Sequence, residues 1–306
     1  MDYSIYKLDF PTGAHFGKGA LETTDLTVYA DVLFSALCIE AVRKQGDLIS
    51  SMVKSVGDGE LLFSDLMPFT DDAYYLPKPL LTVDSKAERG DSVVKKAYKK
   101  LKYIPVESVE DYLSGNMDIS CTAIERSFGR EEVKVSAAIG EGKDTLPYRI
   151  GTFHFNKGSG LYFILGYENA AIKDMIDGLI ESLSYSGLGG RRSSGLGHFM
   201  PVEKRLTDGL SKLLKADAER YMTISVSLPS ENEMESVLSG ASYQMIKRSG
   251  FVSSDNYSDT FQRKKDFYAL AAGSVFTRKY DGGVYDVSSR GNHPVWRYAK
   301  PMFIGI

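Results

Sequence analysis

Ile172, Met175, Ile176, Leu179, Ile180 and Leu183 recur at i, i+3, i+4, i+7, i+8 and i+11, the spacing of a single apolar stripe along an α-helix. A helix patterned in this way must lay the stripe on a sheet or on other helices. Its neighbours in the chain supply the strands. YRIGTFHF (Tyr148 to Phe155) and GLYFILGY (Gly160 to Tyr167) precede it, and HFMPVEKRL (His198 to Leu206) follows it. Between the helix and the last strand stands GLGGRRSSGLGHF, Gly187 to Phe199, in which five of thirteen residues are glycine, two are arginine and two are serine. Gly187 falls where a left-handed helix C-cap is expected.

The N-terminal half reads as the same kind of unit. Tyr6, Leu8 and Phe10 alternate with Lys7 and Asp9, the period of a half-buried strand, and the glycine-punctuated PTGAHFGKGA (Pro11 to Ala20) follows as a loop. Thr24 or Asp25 is expected to cap a helix that runs to about Lys44, with Val28, Val32, Ala36 and Leu37 on one face. A tight turn at Gly57-Asp58-Gly59 leads into a strand at Leu61, Leu62 and Phe63. Between Lys86 and Lys102 seven Lys/Arg face only Glu88 and Asp91, a local charge of +5 that reads as a basic helix or loop inserted into the first unit. The order is strand, helix, strand, insertion, strand, helix, strand, which is that of a ferredoxin-like (RRM-like) domain with an enlarged middle. After a charged, helix-leaning link (Thr207 to Tyr221) come further strand signals: TISVSL, YQMIKRSGF, FYALAAGSVF, GGVYDVS and PVWRYAKPMFIGI. The fold class is therefore α+β with two ferredoxin-like domains, residues 1–206 and a reduced second unit at 207–306. The insertion spans about 84–147 and the glycine-rich loop 187–197.

Charge narrows the function. A formal net charge of −3 means that no global basic field marks the chain as a nucleic-acid binder, so any such binding must come from local patches. Cys38 and Cys121 alone cannot make a four-ligand zinc site or a disulfide framework, and Cys38 lies within an apolar helix as a reduced, buried thiol. Acidic pairs such as Asp71-Asp72 lack metal-site spacing, so no metal and no cofactor are expected. MDYSIYKLDF lacks the basic and apolar regions of a signal peptide, and no run reaches the roughly 18 apolar residues of a membrane span, so a cytoplasmic protein is expected.

Enzymatic fingerprints fit the glycine loops poorly. From Gly190 the P-loop spacing reaches Gly195, but Leu196 stands where the lysine is required, and GAHFGKG (Gly13 to Gly19) is one residue short. A dinucleotide fingerprint opens a helix after a strand, whereas Gly187 to Gly197 closes one before a strand. Neither HExxH nor GxSxG occurs. What remains is geometric. A backbone without Cβ atoms presents N–H groups to anions, Arg191 and Arg192 can fork onto phosphate oxygens, and Ser193 and Ser194 add short donors. Leu188 and Leu196, each between two glycines, can anchor the loop on the core. A merely solvated turn shares this composition, but the symmetry and the lack of any acid favour polyanion binding.

The pattern G-Φ-G-x5-G-Φ-G, with Φ an apolar residue, after a helix and before the last strand of such a unit resembles the signature loop of the RAMP superfamily of CRISPR proteins. YADVLFSALC (Tyr29 to Cys38), with Asp31 and Leu33, is similar to the first-helix segment of these proteins. YYLPKPLL, KKLKYIPVESVEDYL and HPVWRYAKPMFIGI resemble the fourth-subunit family of type III-A (Csm) effector complexes, and the likeness runs from residue 1 to the C-terminus. The resemblance implies a non-catalytic RNA-binding subunit that holds the 5′ handle of the CRISPR RNA (crRNA). It also implies docking to a large polymerase-like subunit and to the backbone RAMP subunit. Arg191, Arg192, Ser193, Ser194 and the glycines Gly189, Gly190 and Gly195 would cradle phosphates, with His15, Phe16, Gly17 and Lys18 contacting the handle from the other side and Phe16 stacking on a base. Arg126 lies in the insertion, where relatives carry a thumb-like hairpin, and Arg248 and His293 would line a groove between the domains. Two other readings stay open: a metal-independent endoribonuclease with His15 as base, and a protein scaffold whose arginines meet acidic residues of a partner.

Overall fold

The computed structural model describes residues 1–44, 47–83, 92–118, 127–138, 146–254 and 256–306, with residues 92–95 and 138 as backbone alone. The first unit opens with β1 (Asp2–Asp9), a short hairpin of β2 (Gly17–Lys18) and β3 (Ala20–Thr24), then α1 (Ala30–Lys44) and α2 (Asp47–Gly57). Next come β4 (Leu61–Phe63), β5 (Met67–Thr70), β6 (Ala73–Pro77), α3 (Ser92–Lys100), β7 (Tyr103–Pro105) and α4 (Val109–Leu113). β8 (Gly129–Ala138), β9 (Leu146–Phe155), β10 (Ser159–Tyr167), α5 (Ala170–Ser186) and β11 (Met200–Lys204) complete it.

One antiparallel sheet runs β11-β1-β10-β5-β6-β7, with β4 also paired to β10. Across the sheet these four come in the order β11, β1, β10, β4/β5, which is last, first, third, second in the chain. This sheet is buried on both faces. Tyr6, Leu8, Leu161, Phe163 and Leu165 enter one core with Leu33, Phe34, Ile176 and Leu179 of the helices, while Ile5, Met67, Phe69, Tyr162 and Ile164 enter a second. Double burial explains why GLYFILGY is apolar without a break, as strands covered on both sides are. It also revises the expectation that β1 is half-buried, since Ile5 and Tyr6 both lie in cores.

Two boundaries differ from the sequence reading. Residues 20–24 form a strand, because the Thr24 hydroxyl accepts the Phe16 N–H at 2.9 Å and Asp25 pairs with Lys18 at 2.8 Å. α1 therefore begins at Ala30, and its first N–H is capped from a distance by Asp65 Oδ1 at 2.7 Å. The expected insertion also contributes β7, which adds to the sheet beside β6.

The remainder comprises α6 (Asp208–Lys215), β12 (Tyr221–Thr223), α7 (Glu231–Leu238), β13 (Met245–Arg248), β14 (Phe267–Leu270), β15 (Val275–Phe276), β16 (Gly283–Asp286), β17 (Trp296–Ala299) and β18 (Phe303–Gly305). These strands form three small sheets, β15-β12-β18, β13-β14 and β16-β17, where a single reduced sheet was expected. Their apolar residues complete the cores of the first unit. Val226, Ala269 and Tyr298 join the helix-side core, and Met222, Ile224, Val275, Met302 and Ile304 join the other. Asp65 Oδ1 also accepts the Val226 N–H at 2.9 Å, so one carboxylate holds both the start of α1 and the C-terminal segment. Burial pushes that carboxyl up to about 7 despite its two backbone donors. Among the described residues no helix is long and apolar enough to cross a membrane.

Candidate nucleic-acid interface

α5 is capped by Asn169, whose side chain accepts the Ile172 N–H at 3.0 Å, and it closes with the Gly187 N–H donating to the Leu183 carbonyl at 2.7 Å. Gly187 has positive φ (82°) but an extended ψ (154°), so it turns the chain out of the helix without forming a left-handed cap. The loop then folds back on itself and on the Phe10–Phe16 segment through the main chain. Leu188 N–H donates to Gly197 O (2.8 Å), Gly197 N–H to Gly13 O (2.9 Å) and Gly190 N–H to His15 O (2.9 Å). These bonds account for the glycines. A Cβ on Gly197 would stand 2.1 Å from the Leu188 carbonyl oxygen, and one on Gly189 would stand 2.6 Å from that of His15. The bare backbone is needed chiefly for two chain segments to touch each other. Leu188 is buried as the anchor, while Leu196 is only half-buried.

The apex is a single 3₁₀ turn, Arg192–Ser194, tied by Ser194 N–H to Arg191 O (3.0 Å) and Gly195 N–H to Arg192 O (2.9 Å). The Thr12 hydroxyl donates to the Gly195 carbonyl at 2.6 Å and ties this end of the turn to the N-terminal loop. Arg191 takes a left-handed conformation (φ 59°, ψ 29°), which costs a non-glycine residue about 1 kcal/mol or more and so marks a side chain held in one direction. Its guanidinium lies over the Tyr148 ring, 4.9 Å from the centroid. Ser193 and Ser194 are exposed, and Arg191 and Arg192 are half-exposed. Among the described residues neither arginine is in an ion pair, although ten such pairs form elsewhere. The braced loop thus carries two cations without counter-charges in a protein whose net charge is −3.

His15 is brought beside this loop by its bridge to Gly190. The ring is buried, and its Nδ1–H donates to the Gly151 carbonyl at 2.6 Å, which leaves Nε2 as the acceptor nitrogen. Gly17 adjoins that nitrogen, since a Cβ there would lie 3.6 Å from it. Lys18 is exposed but its charge is committed to Asp25.

Two expectations are corrected here. Phe16 is 5% exposed and packs edge-on against Phe10 at 5.7 Å, so its ring belongs to the core and offers no face to a base. Arg248 is an internal residue. Its Nε and Nη2 donate to Asp31 at 3.1 and 2.9 Å, its guanidinium covers the Tyr29 ring, and Arg297 closes on the same carboxylate. His293 does stand in a cleft between residues of the two units, where it bonds Ser254 Oγ and the Pro294 carbonyl (both 2.9 Å), but that cleft is separate from the glycine loop. Arg126 lies outside the described residues. Sequence reasoning missed Tyr148 and Gly151, because nothing in the pattern of β9 says that this strand returns beside a loop forty residues later. Among the described residues no group of three or more His, Cys, Asp or Glu gathers as a metal site.

Comparison with known proteins bears on these features as a set. Residues 216–306 match the family described as CRISPR Csm4 C-terminal domain. Over its whole length the chain is 38% identical to a Mycobacterium tuberculosis protein named CRISPR system Cms protein Csm4, covering 98% of it. A Streptococcus thermophilus protein of the same name is 32% identical, with 99% of this chain and 98% of that one covered. Among solved structures, a chain of the Csm3–Csm4 subcomplex of the type III-A CRISPR-Cas interference complex superposes with a TM-score of 0.68 at 18% identity, covering 100% of this chain and 99% of that one. A chain of a Csm1–Csm4 cassette in complex with cA4 gives 0.59 at 19% identity, covering 99% and 98%.

Proposed function

The chain belongs to the Csm4 family of type III-A CRISPR effector subunits, and we propose that within such a complex it is the non-catalytic subunit that holds the crRNA 5′ handle. It would do so inside the cell, seated between the backbone subunit and the large polymerase-like subunit. The names of the similar structures support both neighbours, since one is a Csm3–Csm4 subcomplex and the other a Csm1–Csm4 cassette. The strand order of residues 1–206 supports a ferredoxin-like first unit with the β8–β9 hairpin as its thumb, and residues 207–306 are read as its reduced companion.

The observation that carries the RNA reading is the pair of uncompensated arginines on the 3₁₀ apex. Single-stranded RNA is held through phosphate contacts and splayed bases, and this apex offers guanidinium forks, two hydroxyls and open space beside Gly195, while Gly189 and Gly190 brace it against His15. His15 joins them through its acceptor nitrogen, which suits a 2′-hydroxyl donor, and Gly17 leaves room beside it. Lys18 would contact the strand only by sharing its ammonium with Asp25. The endoribonuclease alternative asks the same nitrogen to abstract a proton, yet no second acid or base within hydrogen-bond reach of it is seen among the described residues.

The test uses the assembled complex and labelled crRNA with and without its 5′ handle, in the presence and absence of magnesium. Intact RNA and a preference for the handle-bearing strand are expected. Discrete cleavage that disappears in His15→Ala would overturn the reading in favour of the nuclease. Equal affinity for the two RNAs would overturn handle recognition.

A further inference from the structure

A second concavity lies apart from the glycine loop. It is a cleft of about 530 Å3 between α1–α2 and the segment around β17, walled by Ile39, Ile49, Val252, Val295 and Trp296. Its size is that of ligand sites in general, and its walls are mostly apolar. One cation, Lys264, lines it without a counter-charge. The ammonium donates to Ser35 Oγ at 3.3 Å, and among the described residues it is in no ion pair. The carboxylate nearest in charge terms, Asp31, is already shared by Arg248 and Arg297, and Arg297 adds its own repulsion. Burial, then Arg297, draws the Lys264 ammonium below the usual lysine range.

The other polar groups of the cleft supply no anion. Arg43 is paired with Glu40 at 2.8 Å, burial raises the Cys38 thiol to about 12 and keeps it neutral, and both ring nitrogens of His293 have partners. The complement to such a cleft is an apolar body that carries a single carboxylate. Its mouth indicates the size of that body. Val42 is 59% exposed at the rim, and Phe251 and Phe261, on the loop that bears Val252 and Lys264, are 61% and 93% exposed. Rings this bare on a loop tied together by the Phe251–Arg263 bridge are what a macromolecular contact covers and a small ligand does not.

We infer that this cleft receives an acidic side chain set among apolar residues on a neighbouring protein subunit. The inference rests on the chain's place in a multi-subunit assembly and is independent of how the glycine loop binds RNA. Lys264 meets the carboxylate in a desolvated pocket, and Phe251 and Phe261 lie under the flanking apolar residues. An RNA strand fits this surface poorly, because one unpaired cation among apolar walls cannot follow a phosphate backbone.

The experiment places a photoreactive benzoylphenylalanine at Phe261 of the full chain, assembles the complex, irradiates it and identifies the adduct by mass spectrometry. Binding of the captured subunit is then titrated against Lys264→Glu, Lys264→Met and the double change Phe251→Ser/Phe261→Ser. A protein adduct whose peptide carries Asp or Glu beside apolar residues is expected, with Lys264→Glu weakening association about tenfold or more and Lys264→Met less. The two exposed phenylalanines are outside the cores, so the double change tests the surface even if a Lys264 variant fails to fold. Adducts with RNA alone, no protein adduct, or association within about twofold of wild type in the double variant would each overturn the inference. Handle binding should be unchanged throughout, which separates this outcome from failure of the glycine-loop reading.

Discussion

Replacing Asp31 by asparagine should cost the fold about 3–5 kcal/mol, the range for a buried charge cluster that loses one partner. The magnitude follows from exposure. The Asp31 side chain is 1% exposed, Arg297 6% and Arg248 17%, so the cluster belongs with buried pairs and not with surface pairs worth roughly 0–1 kcal/mol. Without the carboxylate two guanidinium groups remain in the interior with no counter-charge beyond Asp65, itself partly neutral near pH 7. Arg297 Nε is already buried without a hydrogen-bond partner, so that side has no spare polar contact to turn to. Urea unfolding followed by far-ultraviolet circular dichroism and by the fluorescence of Trp296, the sole tryptophan, is the assay. Because residues on either side of position 206 share both cores, the two probes should coincide in the wild type, and Asp31→Asn should shift both midpoints down. The triple change Asp31→Leu/Arg248→Met/Arg297→Met should recover most of the loss, since it removes the buried charges together. A loss below about 1 kcal/mol in Asp31→Asn would refute the reasoning, because it would place the cluster in the energetics of exposed ion pairs.

Other perturbations have equally definite outcomes. Asp65 has its pKa raised from 3.8 to about 7 in the folded state, so the folded protein holds the proton more tightly than the unfolded chain, and stability should fall as pH rises between these values and level off above them. Asp65→Asn keeps Oδ1 as acceptor for Ala30 and Val226 and should flatten that decline, which thermal melts at pH 5 and pH 8 will show; a decline unchanged in the variant would contradict the assignment. Gly197→Ala, whose Cβ would strike the Leu188 carbonyl, should destabilise by about 2 kcal/mol or more, whereas Gly195→Ala has open space and should cost only the roughly 1 kcal/mol of its positive φ. Equal melting shifts in the two variants would show that the loop is not packed as described. Tyr148→Leu should weaken handle binding modestly by releasing Arg191, and an unchanged affinity would show that the stack does not position it.

Much of the fold was legible because it rests on period and punctuation. The stripe from Ile172 to Leu183, the unbroken apolar run of β10 and the glycines around residue 190 each have one natural local structure, and the described elements fall where those signals stand. What the sequence concealed was non-local. Asp65 caps a helix thirty-five residues away in the chain, β7 returns from the insertion to the sheet, and the C-terminal strands spread over three sheets that cover the existing cores and add two small clusters, around Phe276 and Tyr257. The candidate site divides in the same way. The outward placement of Arg191, Arg192, Ser193 and Ser194 was readable because glycines flank them and no acid lies between. Phe16 and Arg248 were misread because an aromatic ring in a loop and an arginine in a strand look alike whether they face solvent or the interior. Asp31 was visible only as part of the first-helix resemblance, and its role as the common partner of two arginines emerged from packing.

The central claim, that the apex of the glycine loop holds RNA through phosphates, is tested most directly by the salt dependence of handle binding in the assembled complex. Wild type and Arg191→Ala/Arg192→Ala would be titrated with handle-bearing crRNA across a series of salt concentrations. The account predicts weaker binding in the double variant at low salt and a slope of log affinity against log salt that is shallower by about one to two. An unchanged slope with unchanged affinity would contradict it and would move the RNA contact to another part of the surface.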